Sequence, residues 1–213
     1  MAAPTLQAAR LDDVLARMDK AGASFRDVSA KIVRKDHTAI INDTSEETGT
    51  IRMQKAGDRN VRMKIDFDEP DVRSVAFADR KAQIYYPKIR TVQVYDLGKY
   101  RDLVDQFLLL GFGTSSLELR KNYSVRFIGD EKVAGEHTAR LELTPKSNAA
   151  REHLSKVELW ISDAGYPLQQ KFYRPSGDNT LTIYSELKIN SNLTEDSLKL
   201  RLPSGVKREY PQK

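Results

Sequence analysis

Apolar and polar residues alternate along most of this chain with a period of two, the signature of strands that bury one face. The clearest run is Val61 to Phe67, where Val61, Met63, Ile65 and Phe67 alternate with Arg62, Lys64 and Asp66. The same beat, enriched in β-branched residues, predicts strands over Ser24–Ile41, Thr50–Lys55, Val72–Ala78, Lys81–Tyr86 and Ile89–Leu97. Pro70-Asp71 and Pro87-Lys88 supply turns between them. Further strands are predicted over Tyr123–Gly129, Glu136–Thr144, Val157–Ser162, Pro167–Tyr173, Thr180–Asn190 and Leu198–Leu202.

Two stretches break the pattern. From about Thr5 to Lys20, Leu11, Val14, Leu15 and Met18 recur at helical spacing, and Gly22 ends the run. In Tyr100–Phe112, Leu103, Phe107 and Leu110 share a helical face beside Val104 and Leu108, and Gly111 and Gly113 stop it. Shorter helices are expected at Leu117–Arg120 and around Asn148–Leu154. Strands in direct succession, with few intervening helices, favour an antiparallel meander. The predicted fold class is therefore mainly β with a few helices, on about 11–12 strands. No linker or shift in composition interrupts residues 1–213, so a single domain is expected.

Composition removes several functions. With no cysteine there are no disulfides, thiolate metal sites or cysteine nucleophiles. The net charge of +5 comes from 35 basic against 30 acidic residues, mixed throughout, which is no footprint for nucleic acid. The apolar run ending at Phe112 is far short of the roughly 20 residues that cross a bilayer. Met1-Ala2-Ala3-Pro4 leads directly into a helix without an apolar signal region. Either the protein is cytoplasmic, or it is a mature exported chain whose signal was replaced by a start Met.

Candidate chemistry is sparse. His37, His137 and His153 lack metal-ligand spacing and read as structural, so no metal and no cofactor is expected. Asp66, Asp68 and Glu69 could suggest paired carboxylates or a cation site, but Asp66 alternates with Ile65 and Phe67 and reads as a solvated face. Gly111-Phe112-Gly113-Thr114 follows a helix and lacks the Gly-Lys-Ser/Thr ending of a phosphate loop. No Gly-x-Ser-x-Gly occurs, and no catalytic constellation is present: the expectation is a protein that is not an enzyme. What remains is aromatic. Tyr85, Tyr86, Tyr95, Tyr100, Phe107 and Phe112 are either ordinary core or the lining of an apolar sheet face too large for its own side chains to fill.

Six segments in order resemble the LolA-type periplasmic lipoprotein carriers, of the LolA/LolB superfamily. They are the N-terminal helix running into Ala23-Ser24-Phe25, Gly49–Lys55, Val75–Lys81 with Ile84-Tyr85-Tyr86-Pro87, Gln106–Phe112, Leu143-Thr144-Pro145-Lys146, and Asn179–Leu187 followed by Leu200-Arg201-Leu202-Pro203-Ser204-Gly205-Val206. The resemblance implies an incomplete antiparallel β-barrel, closed by the N-terminal helix and a mid-chain lid helix. Its apolar cavity would hold the acyl chains of a lipoprotein, or a lipid, in transit through the periplasm. It also implies an inner-membrane release complex and an outer-membrane receptor as partners, a monomer, and a signal peptide already removed. The alternatives are a binding module of this fold for another envelope lipid, a stress-sensing regulator, or a non-metal enzyme.

Alternation nominates Ile51, Met53, Met63, Ile65, Phe67, Phe77 and Tyr86 as lining residues, with Leu103, Phe107 and Leu110 from the lid. Where the family has an Arg-Pro pair whose arginine latches the lid, this chain has Lys55-Ala56. Lysine lacks the planar fork of arginine, so the latch falls to Lys55 or to a neighbouring arginine, Arg52, Arg59 or Arg62.

Overall fold

The computed structural model describes residues 4–57, 60–98, 104 and 108–212. Among them the chain is mainly β, with one open sheet of twelve strands and three α-helices. In chain order the elements are α1 (Pro4–Ser24), β1 (Asp27–Thr38), β2 (Asp43–Lys55), β3 (Val61–Glu69), β4 (Arg73–Ala78), β5 (Lys81–Tyr86) and β6 (Thr91–Asp96). Then follow α2 (Ser116–Asn122), β7 (Tyr123–Val133), β8 (Glu136–Pro145), α3 (Asn148–Arg151), β9 (Lys156–Ser162), β10 (Pro167–Tyr173), β11 (Asn179–Ile189) and β12 (Lys207–Glu209). The strand order across the sheet is β12-β6-β5-β4-β3-β2-β1-β11-β10-β9-β8-β7.

Several elements depart from the sequence reading. β2 begins at Asp43 rather than Thr50, because the hairpin with β1 draws the polar run Asp43–Gly49 into the ladder despite its turn-like composition. The strand expected over Leu198–Leu202 is absent: Glu195–Leu198 is a 3-10 turn, and the last strand is β12, nine residues beyond Leu198 at its start, Lys207. β12 also runs parallel to β6, so the sheet is not a pure antiparallel meander. Finally, residues 39–41 and 87–89, expected inside strands or at a plain turn, form 3-10 turns at two hairpin tips, each closed by a left-handed residue, Asn42 and Arg90.

The chain forms two compact units: residues 1–24, 34–46 and 110–184, and residues 25–33, 47–109 and 185–213. In the first, α1 turns Val14, Leu15, Met18 and Ala21 inward, while Ala139, Leu141, Leu143, Val157, Leu159 and Ile161 of β8 and β9 are fully buried. Ion pairs fasten α1 at Arg10–Asp130 and Arg17–Asp163, and Asp19 accepts from the backbone N–H and the hydroxyl of Ser116 at the start of α2.

In the second unit, β2 to β6 pair antiparallel in unbroken register from Thr50 to Asp96. One side of these strands is covered by the segment 193–206. Gln54 donates to the Leu193 carbonyl, Arg62 pairs with Glu195, and Arg90 donates to the Ser204 carbonyl. On that side Ala76, Val92 and Val94 are buried, and so is Leu198 of the covering segment. At the start of this register stands Gly49, where a Cβ would lie 2.2 Å from the Asp66 carbonyl oxygen of β3. Gly49→Ala is expected to push β2 off β3 and cost about 2 kcal/mol or more in urea unfolding, an overpacking penalty; an unchanged midpoint would show that the strand yields freely.

Candidate functional site

Cross-strand pairs point their side chains to the same face, so the register assigns every residue of the second unit to a side. Met53, Met63, Phe77 and Ala82 form one row, and Ile51, Ile65, Val75 and Ile84 the next. Phe67 and Arg73 pair one step further along, and Tyr86, two residues from Ile84, shares the face. All seven strand residues nominated from alternation thus lie on one side. Tyr95, noted among the aromatics, joins them opposite Ala82. Val75 and Ile84 belong with them too and go unnominated in the sequence reading, although the same alternation marks them.

Burial on this face is graded. Ile51, Met53, Met63 and Phe67 of β2 and β3 are buried. Ile65, Val75, Phe77, Ile84, Tyr86 and Tyr95, across β3 to β6, are only half-buried. Fully burying a large apolar side chain is worth about 1.5–3 kcal/mol. These six side chains, left partly open, therefore realise only part of that gain.

Arg73 is a polar member of this face that sequence reasoning misses. Its guanidinium stacks on the Phe67 ring at 4.1 Å and grips Glu47 with both terminal nitrogens, at 2.5 and 2.8 Å. Both side chains are largely buried, as a bidentate pair can be. Of the residues considered for a latch, Lys55 pairs with Val61 and shares the apolar face, half-buried. Arg52 points to the opposite side, where it pairs with Asp66 at 2.8 Å, and Arg62 is committed there to Glu195. Arg59 lies outside the described residues.

Asp66 corrects the sequence reading of a merely solvated carboxylate. It is half-buried and accepts from Arg52, from Lys64 at 3.0 Å and from Ser74 at 2.7 Å. Burial alone would raise its pKa, but the hydrogen bonds from Ser74 and Lys64 and the Lys64 charge, with Arg52, outweigh that and hold it below the ordinary 3.8.

Of the three residues nominated from the mid-chain helix, Leu103 and Phe107 lie outside the described residues. Leu110 is buried in the first unit, at the end of helical Leu108 and Leu109. Its carbonyl accepts from the Gln170 amide at 2.5 Å, and the other end of that amide accepts from the Tyr184 hydroxyl at 2.7 Å. Phe112 meets Tyr184 edge-on at 5.4 Å and stacks on Tyr166, whose hydroxyl reaches the Ala21 carbonyl of α1. Gly111 makes the turn at φ +86°, with Pro167 Cγ 3.1 Å from where a Cβ would stand. Desolvation pushes the Tyr184 phenol far above its usual range, so it remains a donor.

Elsewhere in the first unit, α1 and β7 enclose a groove of about 300 Å³ lined by Gln7, Ala8, Leu11, Arg126, Phe127 and Ile128. His37 bonds to Thr44, and His137 lies between Asp130 and Asp163 on the surface. Among the described residues no group of three or more His, Asp or Glu is placed to hold a metal ion. No described helix is long and apolar enough to cross a membrane.

No protein-family model and no curated protein sequence matches the chain. Solved structures do. MucB aligns at 21% identity and a TM-score of 0.55 over 91% of this chain and 63% of MucB, so the chain spans less than two thirds of that relative. An uncharacterised conserved protein from Thermus thermophilus aligns at 14% identity and 0.56, over 94% of this chain and 99% of that one. LprF from Mycobacterium bovis aligns at 11% identity and 0.50, over 87% and 95%. At these identities the likeness establishes the fold alone, the one this chain shares with these three structures.

Two measurements check this geometry. Because the folded-state pKa of Asp66 is depressed, its stabilisation is fully present above pH 3.8 and lost as pH falls below it. Asp66→Asn is therefore expected to lower stability at neutral pH by about 1 kcal/mol and to flatten the acid limb of the stability curve. Parallel acid limbs would remove Asp66 from the balance. Tyr184→Phe strands the buried Gln170 acceptor and is expected to cost about 1–3 kcal/mol in thermal unfolding; a loss under 0.5 kcal/mol, roughly a surface effect, would show that the anchor is slack.

Proposed function

We propose that the half-buried apolar face of β3 to β6 binds acyl chains, and that the protein is a periplasmic carrier of lipoproteins or lipids bound for the outer membrane. The observation that supports this most is the asymmetry of the second unit. One side of its sheet is covered by the chain's own segment 193–206, while on the other Ile65, Val75, Phe77, Ile84, Tyr86 and Tyr95 remain partly open. An acyl chain on this face is held by the hydrophobic effect, at about 0.8 kcal/mol per CH₂ removed from water. Such binding reads length and shape rather than charge, as a carrier of varied cargo requires.

Within this reading an inner-membrane release complex loads the protein and an outer-membrane receptor unloads it. The protein acts as a monomer without cofactor and catalyses no reaction. A second reading, a binding module for a protein partner, draws support from MucB, which is also solved in complex with MucA and aligns in the Pseudomonas aeruginosa complex at 21% identity and a TM-score of 0.51, over 90% of this chain and 61% of that one.

A fluorescent fatty-acyl probe tests the first reading. The wild-type protein is expected to bind it, and Phe77→Asp, which sets a charge on the open part of the face, to weaken binding roughly tenfold or more while the protein stays folded. Absence of probe binding by the wild type, or equal affinity in the variant, would sink the proposal.

A further inference from the structure

The most exposed large apolar residue among those described is not on the sheet face. Ile40, 93% exposed, and Ile41, 68% exposed, stand side by side at the tip of the β1–β2 hairpin. Their turn is rigid. Residues Ala39–Ile41 form a 3-10 turn that Asn42 closes in the left-handed region (φ 48°), with its N–H on the Ala39 carbonyl. The Ala39 N–H is held at 2.8 Å by Asp178 in the β10–β11 turn, Gly177 backs Ala39, and His37 bonds to Thr44 across the strands at 3.0 Å. The fold thus uses several hydrogen bonds to fix two isoleucines where water surrounds them, which stability alone does not ask for. The same turn recurs at Pro87–Ile89, closed by Arg90, and again presents an isoleucine, Ile89, 68% exposed.

We infer that the β1–β2 tip is a lipid-contact element, inserting Ile40 and Ile41 into the outer part of a bilayer. The two side chains offer on the order of 300 Å² of apolar surface, the size of one ordinary surface patch. That is well short of the about 800 Å² that each partner buries in a stable protein complex. Acyl chains, by contrast, close around a convex tip from every side. Of the flanking charges, Lys35 pairs with Glu46 at 2.8 Å and Arg34 with Asp36 at 3.0 Å, and the exposed Asp43 adds a negative charge that an anionic surface would repel, so the contact is apolar rather than electrostatic. Thr38, Asn42, Thr44 and Ser45, all exposed, ring the tip with groups that hydrogen-bond at headgroup depth. The inference does not depend on acyl binding by the sheet face.

Vesicle flotation tests it. Wild-type protein is expected to float with uncharged phosphatidylcholine vesicles equally well at low and high salt, and Ile40→Ser/Ile41→Ser to partition roughly tenfold less. The variant should keep the wild-type melting temperature and acyl-probe affinity, which separates this result from failure of the carrier reading. The chain has no cysteine, so Ile41→Cys carries an environment-sensitive fluorophore at one position. Its emission should shift to the blue with the same vesicles. No flotation of the wild type, flotation only on anionic vesicles and abolished by salt, equal flotation of the serine variant, or a blue shift elicited by a protein but not by vesicles would each overturn the inference.

Discussion

The register of β2 against β3 decides the chemistry of the whole second unit. It is set where Gly49 passes so close to the Asp66 carbonyl that no side chain fits, and a slip of one residue would exchange the faces of β2 relative to β3 and the strands beyond it. With that register, Ile51, Met53, Met63, Ile65, Phe67, Val75, Phe77 and Ile84 fall on one side, and Arg52, Arg62, Lys64, Asp66 and Ser74 on the other. The polar side is then satisfied in detail, since Asp66 gathers three donors and Arg62 reaches the covering segment. Among the described residues, the apolar side carries the Arg73–Glu47 pair at its end and the bond from the Tyr95 hydroxyl to Gln93.

The first unit handles its charges differently. Glu158 is almost fully buried, yet it accepts from Arg140, Lys156 and Tyr173, while Arg140 spans to Glu131 and lies over the Trp160 ring. Burial raises the Glu158 pKa, but these bonds carry it below the usual glutamate range, so the ladder stays ionised at neutral pH. Every carboxylate in it has a cationic partner, while the buried Nε of Arg140 has no hydrogen-bond partner. In both units the buried polar groups fasten strands and turns to one another.

How much of this the sequence discloses depends on whether the signal is local. The strict alternation of Val61–Phe67 needs only the pleat, and the same beat along the neighbouring strands places the seven nominated residues on one face. The helix over Leu11–Met18 is equally local. β2 reads too short from sequence because Asp43–Gly49 carries no strand signal of its own and is recruited by its partner. β12 is three residues of mixed charge that pair in parallel with β6, a contact more than a hundred residues distant in the chain. Nearness to a motif does not tell Arg73 from Arg52; only the register separates the one on the apolar face from the one on the polar face. The Gln170–Tyr184 pair gives no sequence signal, since each residue is inconspicuous until the fold closes both over the Leu110 carbonyl.

The segment 193–206 and β12 that follows it impose an order in time. They are made after every strand they cover, so a chain emerging from its N-terminus presents Ala76, Val92 and Val94 to its surroundings for as long as it takes to complete more than a hundred further residues. During that interval the side of β3 to β6 that the segment later covers stands open as well, with Ala76, Val92 and Val94 exposed beside Lys64, Asp66 and Ser74. A face that the finished fold closes with its own last segment thus stays in water until that segment has been made.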